Sequence, residues 1–309
     1  MDATYELFRA YYAPRPPVLG RDGRNLSGVS GLAEQLLFML REQGATHVGC
    51  ATDRVIESFR NDLYAGYKSS AGMPAELLSQ FPVAERAIAA LGIPLWPMVE
   101  WEADDALAAA ADRFAGAAGV DRVVICTVDK DLAQCVRGDR VVLWDRRRDL
   151  VYDADGVREK WGVDPESIPD YLALVGDSSD GYPGIPGFGT KSAAAVLARY
   201  GHLEAIPVRG SAWDVPGLRN PVGLAQALVE RLGEAMLYRN LARLRTTADG
   251  VPIAERSPED LRWHGTPREA WETLCDDLGL DRLRGRPHRW LPEPGLPDPD
   301  RAMVEAPRP

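Results

Sequence analysis

Residues 174–201 read LVGDSSDGYPGIPGFGTKSAAAVLARYG. An apolar run ends in two aspartates, Asp177 and Asp180, a loop dense in glycine and proline follows, and then alanines and apolar residues recur at helical spacing. Glycines let such a loop turn sharply and bring backbone close to a ligand. The segment after the loop opens with Thr190 and Lys191, where the free N–H groups and positive dipole end of a helix suit a phosphate. A P-loop is excluded, because GxxxxGK[ST] requires the lysine directly after the last glycine and Thr190 separates Gly189 from Lys191. Just upstream, VDPESIPDYLALVGD changes the character of the chain near Asp164, and a mainly helical domain is expected from there.

Between Ala45 and about Val151, short apolar runs alternate with longer helical patterns: THVGCAT, LLSQFPVAERAIAALG, DALAAAADRFAGAAG, DRVVICTV and DRVVLW. This rhythm predicts an α/β domain with a mainly parallel sheet and helices on both faces. From about Arg284 the chain is proline-rich with little apolar periodicity, which predicts a disordered tail over 285–309. The expected organisation is an α/β domain over 1–163, a helical domain over 164–284, and that tail.

At 45% hydrophobic and 27% charged residues, the 309-residue chain has a globular composition. No apolar run nears the roughly 20 residues of a membrane helix, and MDATYELFRAYYA lacks the basic-then-apolar pattern of a secretory signal. A cytoplasmic protein without a membrane partner is expected. Cys50, Cys126, Cys135 and Cys275 form no CxxC pair, so reduced thiols are expected rather than a disulfide framework or zinc site. His47, His202, His264 and His288 lie outside any HExxH pattern, and no GxSxG elbow appears.

In open α/β sheets, ligands sit beyond the carboxyl ends of the strands, and acids gather at those positions here. Asp53 follows THVGCAT, Asp129 and Asp131 close DRVVICTVDKD, and Glu102, Asp104 and Asp105 stand where an alanine-rich helix begins. Asp177 and Asp180 follow a further apolar run. A single acid at such a place is commonly a helix cap or a solvated loop residue; four clusters at successive element ends point to one site. So many like charges require cations, and hard oxygen donors without cysteine or histidine suit Mg²⁺ or Mn²⁺. A pair of such ions roughly 3.5–4 Å apart suits phosphodiester hydrolysis.

In this order, with VGDSSDGYPGIPGFGTKSA behind them, the clusters resemble the 5′→3′ exonuclease and flap endonuclease family over nearly the whole stretch from Asp2 to about Thr246. The resemblance implies a PIN-like (resolvase-like) domain followed by a helix–three-turn–helix domain. It also places the family's first aspartate on Asp2, because the family's arginine seven residues later matches Arg9. By resemblance, Asp2, Asp53, Glu102 and Asp104 surround a first metal, Asp105 lies close to both ions, and Asp129, Asp131, Asp177 and Asp180 hold a second. Setting these nine acids aside leaves 37 acidic against 36 basic residues, so the net charge of −10 does not exclude DNA.

The stretch from Ser58 to Ser70, SFRNDLYAGYKSS, resembles the start of the family's helical arch, expected near 58–86. There Arg60 and Lys68 are expected to meet phosphate and Tyr64 or Tyr67 to stack on a base. Lys68 matches the family lysine at the scissile phosphate, where it stabilises developing charge. Gly184, Gly187 and Gly189, with Thr190 and Lys191, match the DNA-gripping hairpin, which in the family binds K⁺. The implied activity is a monomeric, Mg²⁺-dependent 5′ nuclease acting on duplex DNA with a 5′ flap, nick or free 5′ end, or on an RNA primer in a hybrid.

The sequence also departs from the family. Only Met1 precedes Asp2 where four or five apolar residues normally form the positioning strand, so that strand is expected to be missing and Asp2 to be poorly held. Ala3 stands for a glycine, Ala71 for an arginine, and Gly181 for an asparagine. These departures motivate an alternative of another class, a catalytically weak DNA-junction-binding protein. An aspartate-nucleophile phosphatase fits poorly, since no DxD follows a first strand.

Overall fold

The computed structural model describes residues 1–292. The chain forms two compact units, interleaved in sequence: one from Met1–Asp2, Ala51–Met73 and Trp96–Pro258, the other from Ala3–Cys50, Pro74–Leu95 and the described part of Glu259–Pro309.

The first unit carries a small, mainly parallel sheet. Strands β1 (Cys50–Asp53) and β2 (Leu95–Met98) pair. Cys50 N donates to Pro94 O and Arg54 N to Met98 O, an equal advance on both chains that makes the pair parallel. Strands β3 (Val123–Cys126), β4 (Val141–Asp145) and β5 (Leu150–Tyr152) form a second ladder, with β3 parallel to β4 and β5 antiparallel at the edge. Asp145 Oδ1 accepts from the backbone N–H of Arg147 and Arg148, which turns the chain between β4 and β5.

The positioning strand is present as a two-residue stub. Asp2 bridges Ala51 in parallel, Ala51 N donates to Met1 O, and Asp2 N donates to Cys126 O. The stub therefore lies between β1 and β3 and ties the two ladders together. Asp2 is 5% exposed, so the expectation of a loosely held residue is corrected: two backbone hydrogen bonds hold the stub where a longer strand was expected.

Against this sheet stands the helix Ala103–Ala115, whose alanines bury closely along its length. The helices Ile168–Val175, Thr190–Tyr200, Pro221–Glu230 and Leu232–Ala242 follow. Over 58–86 the chain is helical only at Phe59–Leu63, at Ala75–Leu78 and from Phe81 onward.

The second unit is helical. Ala3–Tyr11 packs on Ser27–Arg41 so closely that a Cβ on Gly31 would stand 2.5 Å from that of Ala10. Trp271 on Arg268–Leu278 is fully buried, with its indole N–H donating to Leu283 O and Arg284 O. Part of the expected tail is paired backbone: Trp290 bridges Thr266 in parallel, and His288 packs on Trp263. Apolar Trp290 supplies what the proline count conceals. Residues 293–309 of that tail lie outside the described residues. No helix among the described residues is long and apolar enough to cross a membrane.

Candidate metal centre

The strand ends of the first unit aim their carboxylates at one region. Asp53, at the end of β1, accepts at Oδ1 from Ala103 N at 2.7 Å and so caps the helix Ala103–Ala115. Asp2 takes a hydrogen bond at Oδ2 from Thr127 Oγ1 at 2.9 Å, just past β3. Asp104 is pushed well above the carboxylate range by burial and by the charges of Asp129, Asp2 and Asp53. Asp129 accepts from Asp131 N at 2.9 Å and joins that group to the next.

The next group is Asp131, Asp177 and Asp180, all buried, each offering an oxygen within 4.8 Å of the others. Asp131 is pushed well above its usual range by burial and then by Asp129, Asp180 and Asp177. Asp131 Oδ1 is buried without a hydrogen-bond partner among the described residues. A wholly oxygen donor set, an acceptor atom with no donor, and mutually repelling carboxylates fit hard divalent cations.

Two lysines reach into this field. Lys68 Nζ stands 2.8 Å from Glu102 Oε2 and 3.3 Å from Asp180 Oδ1. Burial works against its charge, but Glu102, Tyr67, Asp180 and Asp53 outweigh it and hold the ammonium charged. Burial likewise opposes the charge on Glu102, and Lys68 and Arg60 overcome it to hold the carboxyl at about 2. Lys130 pairs with Asp177. Sequence reasoning passed over Lys130 although it sits between Asp129 and Asp131. It also passed over Thr127, over Ser58, whose Oγ donates to Glu102 Oε1 at 2.6 Å, and over Tyr182, buried beside Asp177.

Three expected roles are corrected by burial and pairing. Arg60 is 1% exposed and grips Asp105 with two hydrogen bonds, Nη1 at 2.7 Å and Nη2 at 2.8 Å, while Nε donates to Leu241 O, so it is not open to phosphate. Asp105 spends both oxygens on Arg60 and on the backbone N–H groups of Glu102 and Arg245. Tyr67 is 5% exposed with its hydroxyl donating to Asp180 Oδ2 at 3.1 Å, and its ring is not open to a base. Tyr64, half-buried, meets the edge of Tyr238 at 5.9 Å.

The hairpin after Ile168–Val175 depends on glycine. Gly176 and Gly184 both hold positive φ, 82° and 74°, and a Cβ on Gly184 would stand 2.4 Å from Gly176 N. Gly187, at φ 90°, and Gly189 are exposed. Gly189 N donates to Ser192 Oγ at the start of Thr190–Tyr200, leaving Thr190 and Lys191 exposed at that helix end.

A resolvase-like sheet with converging carboxylates, followed by a helical domain, defines an acid-lined nuclease class. Family models of the 5′-3′ exonuclease match residues 1–269: the N-terminal resolvase-like domain over residues 1–162 and the C-terminal SAM fold over 163–269. The chain belongs to the 5′-3′ exonuclease family. It is 34% identical over 292 residues to the 5′-3′ exonuclease of Bacillus subtilis, covering 92% of this chain and 90% of that one. It is 35% identical over 291 residues to DNA polymerase I of Mycobacterium leprae, covering 93% of this chain but 30% of the polymerase. The chain thus spans about a third of the polymerases it matches. Among solved structures, the bacteriophage T5 D15 flap endonuclease, in complex with DNA and metal ions, shares the fold at a TM-score of 0.59 and 18% identity, covering 92% of this chain and 94% of that one. The catalytic core of Rad2 with DNA substrate does so at 0.56 and 16%, covering 90% and 86%.

Proposed function

We propose that the chain is a Mg²⁺-dependent, structure-specific 5′ nuclease. It cleaves DNA at a 5′ flap, nick or free 5′ end, or an RNA primer in a hybrid, and it acts as a monomer. The observation that carries this reading is the meeting of Asp131, Asp177 and Asp180, beside Lys68, at the strand ends of a resolvase-like sheet. Relatives bound to metal ions and DNA support it.

Asp2, Asp53, Glu102 and Asp104 would hold one divalent ion, and Asp129, Asp131, Asp177 and Asp180 a second, with Mn²⁺ able to replace Mg²⁺. Bound there, the ions supply Lewis acidity to the water and to the leaving oxygen of a phosphodiester. Lys68, which pairs with Glu102 and Asp180, would present its charge to the scissile phosphate. The backbone of Gly187 and Gly189 with Thr190 and Lys191 grips duplex phosphate without reading sequence, and its turn is the site we assign to K⁺. We assign residues 1–163 to the nuclease domain and 164–284 to gripping DNA, with Asp177 and Asp180 of the second part completing the metal centre.

Cleavage of a 5′-labelled flap duplex in Mg²⁺ and in excess chelator tests the reading. Metal-dependent release of the flap is expected, with Asp129→Asn and Asp177→Asn each losing cleavage about 10²-fold or more while flap binding persists. Tight binding with no cleavage in Mg²⁺ or Mn²⁺ establishes the junction-binding alternative instead.

A further inference from the structure

Ser58 and Glu102 are both buried, and their side chains meet with Ser58 Oγ 2.6 Å from Glu102 Oε1. The direction of this hydrogen bond is forced. Ser58 is the N-cap of the helix Phe59–Leu63, and its Oγ accepts from Arg60 N at 3.3 Å, which leaves the single hydroxyl proton for the carboxylate. A length of 2.6 Å falls in the range of the strong O–H···O⁻ bond. The serine is itself anchored, since Ser58 N donates to Asn61 Oδ1 at 2.8 Å.

Glu102 is thereby held by both of its oxygens, Oε1 by Ser58 and Oε2 by Lys68 at 2.8 Å. Both grips come from one segment, and Asn61 braces it, its Nδ2 donating to Lys68 O at 2.9 Å. The two grips differ in stiffness. Lys68 reaches Glu102 on a flexible four-carbon stem, whereas Ser58 acts through one carbon from a capped backbone. Arg60 lies 3.4 Å from Oε1 but spends Nη1 and Nη2 on Asp105. Ser58 is therefore the contact that fixes the carboxylate, whose terminal torsion is otherwise broad.

We propose that Ser58 is a positioning residue of the nuclease centre, its hydroxyl pinning Glu102 Oε1 and so fixing the plane in which this carboxylate meets a divalent ion. This inference rests on the reading of Glu102 as a cation ligand. Ligating carboxylates are themselves hydrogen-bonded, and loss of such a partner weakens metal binding although the partner never touches the ion. The same hydroxyl joins the cap of Phe59–Leu63 to the centre, so the segment that carries Lys68 and the carboxylate that Lys68 meets are set by one side chain.

The test is calorimetric titration of the full chain with Mn²⁺, beside Ser58→Gly, Ser58→Ala and Ser58→Thr, each first melted in chelator so that only folded protein is titrated. Glycine caps a helix nearly as well as serine and alanine does not, so a role confined to the cap spares Ser58→Gly. Mn²⁺ affinity is expected to fall about 10–100-fold in Ser58→Gly and Ser58→Ala alike and to be kept in Ser58→Thr, which retains the hydroxyl. Unchanged affinity in Ser58→Gly shows a capping role, overturns the proposal and leaves the metal reading standing. A folded Ser58→Thr as weak as Ser58→Gly also overturns it. In a Glu102→Gln background, Ser58→Gly is expected to cost nothing further; a full additional loss there shows the hydroxyl acting on another group. If Glu102→Gln alone binds Mn²⁺ as the unmodified chain does, Glu102 is no ligand and the proposal falls with that assignment. If the unmodified chain takes up no Mn²⁺, the metal reading falls as well.

Discussion

Gly181 lies directly under the carbonyl of Gly66: a Cβ on Gly181 would stand 2.1 Å from Gly66 O, at a φ of 90°. Two residues on, Lys68 N donates to Asp180 O at 3.0 Å. This close approach docks the segment after Phe59–Leu63 onto the aspartate loop and brings Lys68 between Glu102 and Asp180. It also accounts for glycine where the family has asparagine.

Gly181→Ala is therefore expected to destabilise the metal-free protein by roughly 1–3 kcal/mol, because the contact is with backbone that cannot swing aside and the φ is strained for any side chain. Urea unfolding in chelator measures it. A midpoint equal to that of the unmodified chain means the two segments do not pack this way.

Arg60 separates a structural from a DNA-contacting role. With Asp105 fully buried beneath it, Arg60→Ala leaves an uncompensated carboxylate and is expected to cost about 3–5 kcal/mol in unfolding free energy. Arg60→Lys recovers little, since a single ammonium does not replace the two-pronged grip. A stable Arg60→Ala protein with weakened DNA binding would return the arginine to the phosphate role.

Lys68→Met is expected to lower single-turnover cleavage of a flap duplex about 10²-fold while leaving flap affinity near normal, as loss of a group that acts on developing charge should. In chelator the same variant is expected to unfold more easily, because Glu102 loses the cation that offsets its burial. Unaltered cleavage would remove Lys68 from the reacting centre.

Glu204 and Arg239 make a clip on the helical domain, with Arg239 also reaching the buried Asp170 at 3.0 Å. The hydrogen bond from Arg239 lowers the Glu204 carboxyl to about 2. Its folded value lies below its unfolded one, so the stabilisation is present above about pH 4.5 and is lost as pH falls toward 2. Subtracting the thermal midpoint of Glu204→Gln from that of the unmodified chain is expected to give a difference that is constant near neutrality and shrinks in that acid window. A difference that does not change with pH refutes the clip. Because Glu204 is largely exposed, the effect is small.

Much of the fold was legible because periodicity is local. THVGCAT, DRVVICTV and DRVVLW became β1, β3 and β4, DALAAAADRFAGAAG became the helix Ala103–Ala115, and KSAAAVLARY became the helix Thr190–Tyr200. The stub at Met1 and Asp2 was not legible, since two residues carry no period and their pairing depends on strands some 50 and 125 positions away. Nor was the fate of Arg60 and Tyr67. A charged, aromatic stretch reads the same whether it faces DNA or folds back on carboxylates.

The order of the acids and the glycine spacing of residues 174–201 determine by themselves that this is an α/β protein with an acid-lined site and a glycine-built hairpin, because element ends and turns are properties of short sequence. Only the tertiary structure decided how the carboxylates are divided. It gives Asp105 to Arg60, Glu102 to Lys68 and Asp177 to Lys130, and leaves Asp131 Oδ1 without a donor. Ion pairing in a buried space is set by which side chains arrive within about 3 Å of one another, and that follows from packing rather than from any distance along the chain.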